Sequence, residues 1–230
     1  MQNNVNNLVA SSVATGLAEL ITIPICTVKT NYQTRSNGIT ETVKNIYKYR
    51  GVRGFYSASK FAVPAQVFST SGKYTLYQLG RSDDIPPIPA GILSGLVVSS
   101  MTHPIDFWRI AYQRKEKPDF SQGWTIIYRG YSKSITKVIV ASSLFLPIYD
   151  LTKERIHHPF LASLTSALVS TVLIQPIDYI KTRNVAGVPW YQGLNPTVYF
   201  RGCSLNLLRV VPHFTIVMTV TESILKYQKD

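Results

Sequence analysis

Two sets of residues in this chain have types and spacings that bear on function. The first follows prolines. Pro104, Asp106 and Arg109 form one group and Pro176, Asp178 and Lys181 a second; Pro24 and Lys29 form a third in which Cys26 stands where the acid should be. A proline-centred charge pair recurring three times signals an internal repeat. The second set is Lys73, Lys137 and Arg209, each inside an apolar run, with Glu19 the one acid placed likewise. A charge at bilayer depth costs on the order of 3 kcal/mol even on lenient insertion scales, so such residues are expected to face a water-filled interior. Three bases against one acid make that interior a site for an anion. Snorkelling or carbonyl pairing would explain a single base, but Lys137 and Arg209 lie 72 residues apart at equivalent places. Glu19 is read as a coupling residue or, more plainly, as the partner of one of these bases. No activated nucleophile, metal cluster or glycine-rich phosphate loop accompanies them. Neither an enzyme nor a metal is therefore expected.

The elements that must position these residues show in the composition. The 230 residues are 45% hydrophobic and 16% charged, against about 25% charged in an ordinary soluble domain. Mean hydropathy is only +0.06. A net charge of +12 asks for an anionic partner: nucleic acid, anionic lipid or an anionic small molecule. Cys26 and Cys203 give neither a disulfide framework nor metal spacing. Six apolar segments are predicted, at residues 5–28, 61–79, 90–108, 134–151, 160–180 and 204–225. Ser12 and Gly16, and Gly91 and Gly95, have the small-xxx-small spacing that lets helices approach closely. A short helix is predicted from Ile39 to Tyr49 in the first polar stretch. Among the histidines, His103 reads as structural, and His213, four residues past Arg209, as a candidate to face the cavity.

The register is constant. Tyr56, Tyr128 and Phe200 are spaced by 72 residues, as are Tyr77, Tyr149 and Thr221. One two-segment unit therefore occurs three times, with expected boundaries at 1–82, 83–155 and 156–230. The three long polar stretches carry 16 of the 24 bases, which by the positive-inside rule places them on the inner face, the matrix side of a mitochondrial membrane.

With the repeats in register, the chain resembles the mitochondrial carrier family, solute transporters of three two-helix repeats. The family signature is proline, acid and base, often with glutamine, then glycine, an aromatic, a base and glycine. It appears in Pro104, Asp106, Arg109, Gln113, Gly123, Tyr128, Arg129 and Gly130, and in Pro176, Asp178, Lys181, Phe200, Arg201 and Gly202. The first repeat keeps Pro24, Lys29, Gln33, Gly51 and Tyr56.

The resemblance implies an all-α membrane protein of six transmembrane helices around a central cavity, working by alternating access. It implies a matrix gate of ion pairs, Lys29 with Asp106 and Arg109 with Asp178, leaving Lys181 opposite Cys26, with Gln33 and Gln113 as braces. It implies a cytosolic gate from Tyr77, Arg81, Tyr149, Asp150, Lys153 and Glu222, incomplete because Gln78, Thr221 and Leu225 depart from the pattern. Substrate contacts fall on Gln66, Lys137, Val138 and Arg209, with Lys73 two turns further out and Glu19 added as a coupling acid. Tyr128, Arg129, Gly130, Phe200, Arg201 and Gly202 would start helices that hold cardiolipin. The compact spacers resemble those of short virus-encoded members, and the matrix helices of repeats two and three are expected to be absent or minimal.

The reading is thus a monomeric carrier in the inner mitochondrial membrane, of a host cell if the chain is viral. Its substrate is an anion, a nucleotide or deoxynucleotide first, phosphate or a carboxylate otherwise. No cofactor is expected beyond bound cardiolipin, and no nucleic acid. The other readings are a carrier-derived membrane anchor without transport and a soluble α-solenoid with a basic groove.

Overall fold

The computed structural model describes the backbone of residues 2–82, 85–156 and 158–227; the side chains of Arg81, Tyr149, Asp150, Lys153 and Glu222 lie outside the described residues. Eight helices run through it: α1 (Gln2–Thr34), α2 (Ile39–Arg50), α3 (Ser59–Ser82), α4 (Pro87–Arg114), α5 (Tyr131–Arg155), α6 (Pro159–Val185), α7 (Pro196–Tyr199) and α8 (Cys203–Tyr227). Each predicted apolar segment lies inside one of the six long helices. The predicted short helix is α2, and the other two polar stretches hold only short 3₁₀ turns and the four-residue α7.

The six long helices close into a ring. In cyclic order each packs on the next: α1 on α3, α3 on α4, α4 on α5, α5 on α6, α6 on α8 and α8 back on α1. Helices α1, α4 and α6, which carry the repeated prolines, also touch one another across the middle. Pro24, Pro104 and Pro176 lie inside them. Proline deprives the helix of a donor and crowds the preceding turn, which suits helices that must converge at one end.

The distribution of apolar residues is the reverse of a soluble bundle. On α1 the buried face is built from Ala10, Ala14 and Ala18, while Val9, Val13, Leu17, Leu20 and Ile21 are exposed. On α4, Leu93, Val97 and Met101 point outward; on α6, Val169, Val172 and Leu173 do the same. Large apolar residues outside and small ones between helices is the pattern of helices solvated by lipid. Three helical stretches, Leu8–Thr34, Ile88–Arg114 and Phe160–Val185, are long and apolar enough by themselves to cross a membrane.

The predicted small-residue contacts form at two places. A Cβ on Gly16 would lie 3.3 Å from Val67 of α3, next to a 2.6 Å hydrogen bond between Ser12 and Ser71. A Cβ on Gly95 would lie 2.7 Å from Val138 of α5, inside van der Waals contact. Gly91 meets nothing within 4 Å and opens onto the cavity wall instead.

Arginines knit the base-rich ends together. Arg129 donates to the Val185 carbonyl at 2.9 Å, Arg201 donates to the Asn37 carbonyl, and Arg50 donates to the carbonyls of Gln113 and Arg114 at 2.7 and 2.6 Å. Each cation thus serves the carbonyl end of a long helix or the loop just beyond it, where unpaired acceptors and the negative end of the helix dipole gather. The first repeat lacks the aromatic-base-glycine arginine, and Arg50 of α2 takes that role. His103 is structural as expected: its Nε2 lies 3.2 Å from the Arg129 carbonyl and its Nδ1 3.0 Å from the Ser134 hydroxyl.

Candidate solute-binding cavity

The ring encloses a cavity of about 330 Å³. Gln66 and Lys73 come to its wall from α3, Lys137 and Val138 from α5, and Arg209 from α8; Lys29, Asp106, Arg109, Asp178 and Lys181 form the end nearest the base-rich stretches. Apart from Glu19, the residues expected to contact substrate are therefore brought to one cavity. Glu19 lies behind that wall, with none of its surface exposed. This corrects its expected place as a substrate contact and bears out the plainer reading, that it is a partner for a base.

The ion pairs at the closed end correct the expected pairing. Lys29 Nζ donates to Asp178 at 2.5 Å, not to Asp106. Lys181 Nζ donates to Asp106 at 2.7 Å, although it was expected to be left without an acid. Each acid thus reaches the base on the following proline-bearing helix rather than the preceding one. The direction of travel around a ring is a handedness, and residue spacing alone does not encode it. The base left opposite Cys26 is therefore Arg109, not Lys181. Its guanidinium turns to Glu19 at 2.9 Å instead of to Asp178.

Two of the three cavity bases are not free either. Lys137 donates to Asp178, which so holds two ammonium groups. Arg209 donates to the second oxygen of Glu19 at 2.5 Å. Among the described residues no ion pair includes Lys73.

The expected braces are also corrected. Gln33 donates to the Arg201 carbonyl at 3.1 Å, and the side-chain oxygen of Gln113 accepts from Thr30 at 2.7 Å. Both stitch the floor to its neighbours, and neither touches a gate pair. The brace on Lys29 is Asn206 of α8, at 2.8 Å, itself held by Gln175 at 2.7 Å. Spacing gave no signal for Asn206; its one clue is its place one turn before Arg209.

Of the opposite gate, Tyr77 lies on α3 beside Gly91 and Ala141. Arg81, Tyr149, Asp150, Lys153 and Glu222 fall outside the described side chains. Of the six residues expected to hold lipid, Arg129 and Arg201 commit their guanidinium groups to the carbonyls named above. Tyr128 and Phe200 are exposed, and Gly130 and Gly202 turn the chain into α5 and α8 with φ of 79° and 88°.

A ring of six long helices with apolar outer faces, carrying three related prolines and closed at one end by ion pairs between the helices that bear them, is the architecture of a solute carrier. The family model for mitochondrial carrier proteins matches residues 1–82. A mitochondrial carrier-like protein of Acanthamoeba polyphaga mimivirus is 43% identical over 219 residues, covering 92% of each chain. The chain belongs to the mitochondrial carrier family. Mitochondrial brown fat uncoupling protein 1 of Suncus murinus is 23% identical across 95% of this chain and 90% of its own. The mitochondrial dicarboxylate carrier of Caenorhabditis elegans is 22% identical across 92% and 90%. Family membership removes the soluble solenoid from consideration.

Proposed function

We propose that this carrier moves an anionic solute, a nucleotide or deoxynucleotide, across the inner mitochondrial membrane by alternating access. The observation that carries the reading is the charge of the cavity. Six bases on its wall, Lys29, Lys73, Arg109, Lys137, Lys181 and Arg209, stand against two acids on it, Asp106 and Asp178, and one behind it, Glu19. The surplus is of the order a polyphosphate carries. Lys73, Lys137 and Arg209 come from three different helices, so several phosphate oxygens can be contacted at once, which a single carboxylate cannot exploit. Gln66 and Val138 sit beside them to meet the base or sugar. The cavity volume lies within the usual range for small-molecule sites. In the arrangement described, the ion pairs at the base-rich end are made, as in a carrier closed toward the matrix. The first helical turns of α5 and α8, beside Tyr128 and Phe200, are the places where cardiolipin phosphates would bind. The dicarboxylate carrier among the relatives keeps a carboxylate or phosphate substrate as the second reading. Liposomes loaded with unlabelled solute test both: labelled ATP and dATP are expected to exchange, and exchange of malate or phosphate with no nucleotide would overturn the nucleotide reading.

A further inference from the structure

Two acids at the closed end obey one rule. Asp106, two residues after Pro104, meets Lys181 of α6; Asp178, two residues after Pro176, meets Lys29 of α1. By the same rotation, an acid two residues after Pro24 would meet Arg109 of α4, but Cys26 holds that position and supplies no carboxylate. Arg109 nevertheless has one. Glu19 Oε1 accepts from it at 2.9 Å. Seven residues separate Glu19 from Cys26, about two turns and ~10 Å of rise, which returns the side chain to nearly the same face of α1. The other oxygen, Oε2, accepts from Arg209 of α8 at 2.5 Å.

We propose that Glu19 is the first repeat's gate acid, displaced two turns from the position of Cys26, and that the displacement turns it into a lock joining the gate to the solute site. A carboxylate at position 26 would serve Arg109 at the gate. From position 19 it serves Arg109 and Arg209 together, and Arg209 lines the cavity. A solute anion that draws the guanidinium of Arg209 toward itself competes with Glu19 for it. Where the anion wins, the buried carboxylate is held by Arg109 alone, with an oxygen left unpaired away from water, a costly state. Occupancy of the cavity thereby destabilises the closed gate and favours the arrangement in which Glu19 can find another partner. This last step rests on the carrier reading; the assignment of Glu19 to Arg109 does not.

The test uses the purified full chain in detergent, with melting temperatures measured for wild type, Glu19→Gln, Cys26→Asp and the double variant. Glu19→Gln strands two arginines and is expected to lower melting by on the order of 10 °C. Cys26→Asp in that background returns a partner to Arg109 and is expected to recover at least half of the loss. A double variant no more stable than Glu19→Gln, failure to fold included, overturns the assignment. The lock is read by titrating ATP, and separately inorganic phosphate, into the same melts. In the double variant position 19 is neutral and the introduced carboxylate occupies Arg109, so Arg209 is free. Apparent anion affinity is then expected to rise about tenfold over wild type, worth roughly one pairing. A side chain that only fills space would leave that affinity unchanged, and an unchanged or weaker affinity overturns the lock. Absence of exchange by wild-type liposomes would remove the carrier reading, while the melting comparison would still decide the role of Glu19.

Discussion

Asp178 carries more of the closed end than its place in a repeated motif suggests. It accepts from Lys29 and from Lys137, whereas Asp106, among the described residues, accepts from Lys181 only. Its side chain is 7% exposed, against 26% for Asp106. Removing one partner of a buried pair costs about 3–5 kcal/mol, because the other charge stays buried and uncompensated. Asp178→Asn is therefore expected to destabilise the carrier by at least that range and Asp106→Asn by less, with melting in detergent as the measurement. Equal losses would mean that Lys137 draws nothing from Asp178. At this scale the sequence was informative about residue types and silent about partners. The mid-segment cost of charge singled out Lys73, Lys137, Arg209 and Glu19, and repeat equivalence identified the gate residues. Spacing along one chain holds no information on which way a ring turns, so both expected gate pairs were reversed. Asn206 and Arg50 went unnoticed because each serves a partner more than 60 residues away in sequence.

The helices were legible because lipid-facing segments announce themselves. Apolar runs of about twenty residues are what a bilayer requires, and prolines with the charges behind them mark where α1, α4 and α6 approach their ends. The boundaries were less so. Helix α1 continues past Pro24 to Thr34, and α4 past Pro104 to Arg114, because the polar residues beyond the prolines are held by neighbouring helices rather than by local propensity. Asn31, for example, donates to the Gln113 carbonyl at 2.8 Å. Of the glycines in the six long helices, Gly95 has the least room toward a neighbouring helix, since a Cβ there would meet Val138. Overpacking of this kind costs about 1–3 kcal/mol. Gly95→Ala is thus expected to lower stability by that amount, and Val138→Ala in the same chain to restore most of it. A double variant as unstable as the single one would show that α4 and α5 do not press together at this point. Since Val138 also lines the cavity, the pair is best compared by melting, before any transport is measured.

For the whole molecule, a missing gate acid at Cys26 argued that the ring was open at one seam, as in a carrier degraded into an anchor. The geometry removes that argument. Arg109 is paired, Lys181 is paired and Lys29 is paired, so the closed end holds three ion-pair contacts among α1, α4 and α6 despite Cys26. The same geometry ties two of the three cavity bases to the gate: Lys137 through Asp178 and Arg209 through Glu19. On the proposed reading, an anion entering the cavity would compete for charges that hold the far end shut, and that competition would let the solute open its own path. A membrane anchor would have no use for bases so placed. Exchange of labelled ATP by liposomes carrying wild type, Lys137→Ala or Arg209→Ala protein tests this most directly. Losing one charge-assisted contact to the moving anion is expected to slow exchange about ten- to a hundredfold in each variant. Wild-type rates in both variants, with ATP still carried, would contradict it.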